Sequence, residues 1–164
     1  MSRLDEIASQ VADRLKERGE TVAVAESSAG GMISAALLRV PGASAYFMGG
    51  AVVYTGKARM ELLRLRREDV AGMRSSSEPY AQLLARTVRE NFGTTWGLSE
   101  TGAAGPNGNG YGDASGHSCL AVSGPIDTAF TLETGNEDRA ENMVLFSEAA
   151  LDLLLQMVET QSAS

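Results

Sequence analysis

The sequence predicts an α/β domain of three layers, with helices on both faces of a mixed sheet. Three observations carry that reading. Short apolar runs alternate with segments of helical spacing. Two glycine-rich stretches directly follow apolar runs, as ligand-binding turns do at the carboxyl ends of strands. Near the C-terminus two apolar runs are joined by a link too short for a parallel crossover, so a parallel start gives way to an antiparallel finish.

The elements follow in the order αβαβαβββα. Leu4, Ile7, Ala8, Val11 and Leu15 recur at helical spacing, and Gly19 is placed to end that helix. Thr21–Ala25 is a buried-strand run leading into Glu26-Ser27-Ser28-Ala29-Gly30-Gly31, after which Met32–Val40 reads as a helix closed by Pro41-Gly42. Tyr46–Tyr54 predicts a second strand interrupted by Gly49-Gly50, where a bulge or a close backbone approach would account for the pair. Lys57–Leu65 predicts a helix, and Ser77 caps the next, which has Pro79 in its first turn and ends at Gly93. Thr95–Ser99 is a third strand, followed by a long loop over Thr101–Gly116 rich in Gly, Asn, Asp and Ser. His117–Ser123 and Thr128–Glu133 form the antiparallel pair. A closing helix runs from Glu137 to about Thr160. Residues 1–160 therefore read as one domain, with 161–164 a disordered tail that has nothing to pack against.

Composition narrows the function classes. The 164 residues suffice for one core of ordinary size, and 43% of them are hydrophobic. A net charge of −7 argues against general nucleic-acid binding, which needs clustered Lys and Arg; the densest basic stretch, Arg64–Arg67, reads as a solvated face. No apolar run is long enough to span a membrane. The N-terminal helix carries Asp5, Glu6, Asp13 and Glu17, unlike a signal peptide, and a single cysteine excludes an internal disulfide. These features predict a cytoplasmic protein. His117 and Cys119 are the only soft ligands besides methionine, so no metal site and no metal cofactor are expected.

Three segments could carry chemistry. The turn Glu26–Gly31 offers free N–H groups and a helix N-terminus to a phosphate or an oxyanion. A serine there is either a nucleophile, if a base activates it, or a helix cap. The stretch Thr101-Gly102-Ala103-Ala104-Gly105-Pro106 and the residues after it form an anion nest, a lid or an ordinary surface loop. Tyr54, Lys57 and Arg59, after the second strand, offer a phenol and two cations, or a plain surface.

In this order and spacing, these segments resemble the C-terminal domain of the competence/damage-inducible CinA proteins, a domain that also occurs alone as bacterial nicotinamide mononucleotide deamidase. The resemblance runs from about Leu4 to Leu155. It is most specific over Thr21–Gly31, Val40–Phe47 and Thr101–Pro106. It implies a mostly parallel sheet of five strands with one antiparallel, and hydrolysis of a pyridine-nucleotide amide to the acid with release of ammonia. Ser27 holds the place of the family's proposed nucleophile, Tyr54 matches its tyrosine, and Arg59 stands where its activating lysine would be. Glu26, Ser28, Gly30, Gly31, Thr101, Gly102, Gly105 and Arg139 fall on ligand-binding positions. No organic cofactor is implied.

The departures bear on mechanism. Arginine stays protonated, so Arg59 cannot accept the Ser27 proton, although it could orient a carboxylate or phosphate. Lys57 is two positions away and reads as a surface lysine. Ser28 and Ala29 replace a cysteine and a threonine. Glu100 replaces an apolar strand residue; it could serve as a base or pair with Arg59 or Arg139. Met143 replaces a second arginine one turn after Arg139, which implies altered phosphate binding. His117 reads as a satisfied strand residue whose near-neutral pKa keeps it a proton-carrier candidate. The expectation is a CinA-like amidohydrolase with a small nucleotide ligand; the alternative is a binding or regulatory domain that keeps the fold without the chemistry. A homo-oligomer, such as a dimer, would use the apolar surface of Tyr46–Val53 or of the last helix.

Overall fold

The computed structural model describes residues 1–162. Five strands and five α-helices follow in sequence: α1 (Arg3–Arg18), β1 (Val22–Glu26), α2 (Met32–Leu38), β2 (Phe47–Val52), α3 (Gly56–Leu63), α4 (Glu78–Phe92), β3 (Trp96–Ala103), β4 (His117–Ser123), β5 (Thr128–Glu133) and α5 (Arg139–Ser162). Both predicted caps of α4 are present: the Ser77 hydroxyl accepts from Tyr80 N, and Gly93 ends the helix at φ 64°. Gly19 ends α1 in the same left-handed conformation, where a side chain would be strained.

The sheet order is β2-β1-β3-β4-β5. β1 pairs in parallel with both β2 and β3, and β4 pairs antiparallel with β3 and β5. One strand, β4, therefore runs against the other four, as expected.

Alternating residues send the two sheet faces to different helical layers. Val22, Val24, Trp96, Leu98, Leu120 and Val122 pack with α1, α2 and α5, where Leu15, Ile33 and Leu154 are fully buried. The other face is lined by small residues: Ala23, Ala25, Gly97, Ser99, Cys119 and Ala121. They let α4 approach closely. A Cβ at Gly97 would run into the carbonyl of Ala85 on that helix, and the Ser99 hydroxyl donates to Ala81 O at 2.6 Å.

Three expectations are corrected. β3 does not stop at Ser99; Glu100–Ala103 continues the ladder against His117–Leu120, so the irregular segment is shorter than predicted. Its polar residues pair with β4, and local sequence announces that strand without announcing this pairing. The Gly49-Gly50 interruption has two parts. The expected bulge is present, since the register against β1 skips Met48, but the groups that approach the glycines are side chains and not another backbone: the Phe92 ring at Gly49 and Ser34 at Gly50. The helix expected to close near Thr160 runs on to Ser162, and Gln161 accepts a hydrogen bond from Arg18 at 3.1 Å, so the chain packs beyond residue 160. Residues 163–164 of the expected tail lie outside the described residues.

Candidate functional site

β1 is the middle of the parallel half of the sheet, so its C-terminal turn sits between the exits of β2 and β3. Two carboxylates organise this turn. Glu26 and Glu100 are register partners on β1 and β3, both fully buried. Glu26 accepts from Gly31 N at 2.9 Å, Ile33 N at 3.1 Å, Ser34 N at 2.9 Å and the Ser34 hydroxyl at 2.7 Å. It is the N-terminal cap of α2, supplied from before the turn instead of by a serine. Glu100 Oε1 accepts from Ser27 N at 2.9 Å and Ala29 N at 2.8 Å, while Oε2 accepts from the Ser28 hydroxyl at 2.5 Å and the Ser118 hydroxyl at 3.3 Å.

The predicted set of free N–H groups is thereby corrected. Those of Ala29 and Gly31 go to the two carboxylates, and that of Gly30 to Ser27 O at 3.1 Å. Among the described residues, the Ser28 N–H has no hydrogen-bond partner. A turn that has spent its donors on its own carboxylates is a poor phosphate nest, but one remaining N–H suffices as an oxyanion donor. Glu26 is not free to hold a ligand, because its oxygens are committed to α2. Ser28 is likewise committed as a donor to Glu100. Ser27 differs: its hydroxyl makes no hydrogen bond to a described group. Gly30 takes φ 68°, and a Cβ there would meet Met143 Cε of α5 at 3.0 Å, so Met143 packs beside the turn.

Arg139, at the first turn of α5, joins the other two segments. It donates to Gly105 O at 2.5 Å and to the Tyr54 hydroxyl at 3.1 Å. Tyr54, Gly105 and Arg139 are thus brought together. Arg59 is not in this group: its Nε donates to Leu65 O at 3.5 Å, closing the end of α3 on itself. Neither Arg59 nor Arg139 pairs with Glu100, contrary to that alternative.

Thr101 and Gly102 have structural partners. The buried Thr101 hydroxyl accepts from Ser76 N at 3.1 Å, and a Cβ at Gly102 would meet His117 O at 2.6 Å. They hold β3 to its neighbours. Gly105, at φ 109°, would with a Cβ collide with Ser115, so the loop requires glycine there. Sequence reasoning missed Asn142. This fully buried side chain donates to Ala104 O and Asn136 O, both at 2.8 Å, and accepts from the Thr134 hydroxyl at 2.6 Å, pinning the loop to α5. An amide at a position of α5 that turns inward was its only sequence signal. Arg74 was also missed. It pairs with Asp113 at 2.6 and 3.1 Å and lies 5.3 Å from the Tyr111 ring centre, holding the outer half of the loop.

His117 is confirmed as a satisfied strand residue. Its Nδ1 lies 2.5 Å from the Glu133 carboxylate and its Nε2 2.7 Å from Ser76 O. Both partners are acceptors, so both ring nitrogens carry protons and the imidazolium is the fitting form. Burial alone would lower its pKa, but the hydrogen bonds to Glu133 and Ser76 and the charge of Asp113 outweigh it and raise it above the ordinary value. A pKa raised by folding adds stability that is complete below the unfolded value of about 6.5 and is lost as pH rises through the folded value. Urea unfolding of the native protein should therefore show stability falling above neutral pH. His117→Gln should flatten that slope; an unchanged slope would show that His117 is neutral.

A cavity of about 490 Å³ lies elsewhere, between β5 and α5, lined by Phe130, Leu132, Leu145 and Leu153 among others. Its polar lining includes Thr134, Glu148 and Asp152, but the Thr134 hydroxyl donates to Asn142 and not to a carboxylate, and the chemistry assigns the candidate site to the turn. Among the described residues no group of three or more His, Cys, Asp or Glu could hold a metal ion, and no helix is long and apolar enough to cross a membrane.

A three-layer α/β/α domain with a serine turn at the end of its first strand and an Arg–Tyr–loop clasp beside it defines the class. The chain belongs to the CinA family: the model of the CinA C-terminal domain matches residues 4–158. It is 36% identical over 160 residues to a CinA-like protein of Trichormus variabilis, covering 96% of this chain and 38% of the relative. It is 39% identical over 152 residues to a CinA-like protein of Anaeromyxobacter sp. (strain K), covering 92% of this chain and 37% of the relative. The chain thus spans less than two fifths of the length of these relatives. The competence/damage inducible protein CihA from Agrobacterium tumefaciens has the same fold, with TM-score 0.88, 25% identity, and coverage of 95% of this chain and 96% of that one. A CinA-superfamily protein from Klebsiella pneumoniae superposes with TM-score 0.89 at 23% identity, covering 96% and 98%.

Proposed function

We propose that this domain hydrolyses the carboxamide of nicotinamide mononucleotide or a related nucleotide amide, with Ser27 as the nucleophile. The observation that carries the reading is the contrast within the turn. The N–H groups of Ser27 and Ala29 and the hydroxyl of Ser28 are tied to Glu100, whereas the Ser27 hydroxyl has no hydrogen-bond partner among the described residues. In this reading Ser27 Oγ attacks the carboxamide carbon, its proton passes to solvent water, which afterwards restores the proton that the departing nitrogen takes, and the Ser28 N–H meets the oxyanion. The C–N bond breaks as the nitrogen gains a proton and leaves as ammonia. Tyr54 is suited to give that proton, because its oxygen already accepts from Arg139 and its O–H remains free. Water then opens the acyl-serine to the acid. Arg139 orients the nucleotide, and the loop from Gly105 closes over it.

Nothing in this reading calls for a metal, an organic cofactor, nucleic acid or a membrane. We place the reaction in the cytoplasm, and exposed apolar residues on β2, such as Met48 and Val52, support a homo-oligomer. The test is ammonia release from nicotinamide mononucleotide with an equal amount of the acid formed. No ammonia above the protein-free control would overturn the reading for this substrate.

One observation favours a second reading. Among the described residues no proton acceptor hydrogen-bonds the Ser27 hydroxyl, and Arg59, in the place of the family's lysine, cannot become one. A nucleotide-binding domain without chemistry would give calorimetric binding of the mononucleotide and no turnover.

A further inference from the structure

We infer that Glu100 is a positioning residue of the Ser27 turn, whose negative charge fixes both the backbone of that turn and the direction of the Ser28 hydroxyl. The inference rests on the hydrolase reading for its effect on turnover, but its geometry stands by itself. As a carboxylate, Glu100 can only accept, and its contacts are all with donors: Ser27 N, Ala29 N, Ser28 Oγ and Ser118 Oγ. Oε1 bridges the two N–H groups flanking Ser28, which sets the turn. Oε2 draws in the Ser28 proton, so the lone pairs of that hydroxyl stay available to accept from a neighbouring donor such as an amide N–H or the Ser27 hydroxyl.

A protonated Glu100 would reverse this. Its O–H would donate to the nearer of the two hydroxyls at Oε2, that of Ser28 at 2.5 Å against Ser118 at 3.3 Å, and the Ser28 proton would then point away from Glu100. The polarity of the second serine is thus set by one charge on the adjacent strand. That charge is costly to keep. The carboxyl is fully buried, no cation among the described residues pairs with it, and its charged neighbour is Glu26 on β1; β4 contributes the neutral Ser118. Burial therefore raises its pKa above the ordinary value, with the hydrogen bonds from Ser28, Ala29 and Ser27 opposing the rise and Glu26 adding to it. The site is competent above that pKa and falls silent below it.

The test compares the native protein with Glu100→Gln and Ser28→Ala. Glutamine is near-isosteric; its oxygen can keep the two N–H bonds, but its amide group donates where the carboxylate accepted. For the native enzyme, kcat for nicotinamide mononucleotide should fall about tenfold per pH unit below the Glu100 transition, with KM nearly constant. Glu100→Gln should lower kcat by roughly 30-fold or more at pH 8 and lose that acid limb. Ser28→Ala should share the kcat loss. By ¹H–¹⁵N spectroscopy of the ligand-free protein, the Ser27 and Ala29 amides should titrate together in the native protein and in Ser28→Ala, and not in Glu100→Gln. The spectra do not depend on turnover. If the native protein releases no ammonia, the hydrolase reading fails while the amide titration still decides the role of Glu100. Glu100→Gln retaining native kcat and its acid limb would overturn the inference. So would amides in the native protein that do not move with pH, a result that stands even if the glutamine variant does not fold.

Discussion

Ser27→Ala should leave the domain folded and lower nicotinamide mononucleotide hydrolysis by on the order of 10³-fold or more. The effect is large because a covalent route has no substitute for its attacking atom. It should come without a stability loss, because the hydroxyl removed holds nothing else: the structural bonds of Ser27 run through its backbone, N–H to Glu100 and C=O to Gly30 N. Ammonia release and urea unfolding of the same preparation check both halves. Turnover equal to that of the native protein would remove Ser27 from the mechanism. A large drop in stability would mean that the hydroxyl has a structural role.

The opposite pattern is expected at Glu26, one residue earlier. Glu26→Ala should cost about 3–5 kcal/mol of stability, because it strands several donors at the buried start of α2 at once. The N–H groups of Gly31, Ile33 and Ser34 and the Ser34 hydroxyl all lose their acceptor. Glu26→Gln retains one acceptor oxygen and should lose less than half as much. Denaturant midpoints for the two variants test this. A cost below about 1 kcal/mol for alanine would mean that water replaces the carboxylate at no net loss, and that the cap is not what holds α2.

Adjacent residues with opposite roles show where sequence reading reaches its limit. The strand–turn–helix unit from Val22 to Leu38 is legible because its signals are local: an apolar run, small residues in the turn, then helical spacing. The caps at Ser77, Gly93 and Gly19 are legible for the same reason. So are β4 and β5, whose predicted bounds match those observed. The site residues were harder. Glu26 and Thr101 have the chemistry of ligand-binding groups, but the fold uses their oxygens to satisfy buried N–H groups. Nothing in a residue's type tells whether its hydrogen-bonding capacity faces inward or outward.

The long loop shows the same limit from another side. Its Gly, Asn, Asp and Ser content correctly marks an irregular segment, but the pattern cannot say where β3 yields to it. That boundary is drawn by β4, which pairs with Thr101, Gly102 and Ala103. Nor can it show that Arg74, from the segment before α4, and Arg139 and Asn142, both from α5, hold the loop in one place.

By itself, then, the sequence determined the fold class, the family and the position of the serine turn, because each is written in patterns a few residues long. The tertiary structure alone decided which groups attend that turn. Glu100 reaches Ser28 across 72 positions of chain, and Arg139 reaches Tyr54 across 85. Those meetings depend on β3 lying beside β1 and on α5 beginning beside the strand exits. Local periodicity does not encode that order; burial of both sheet faces does.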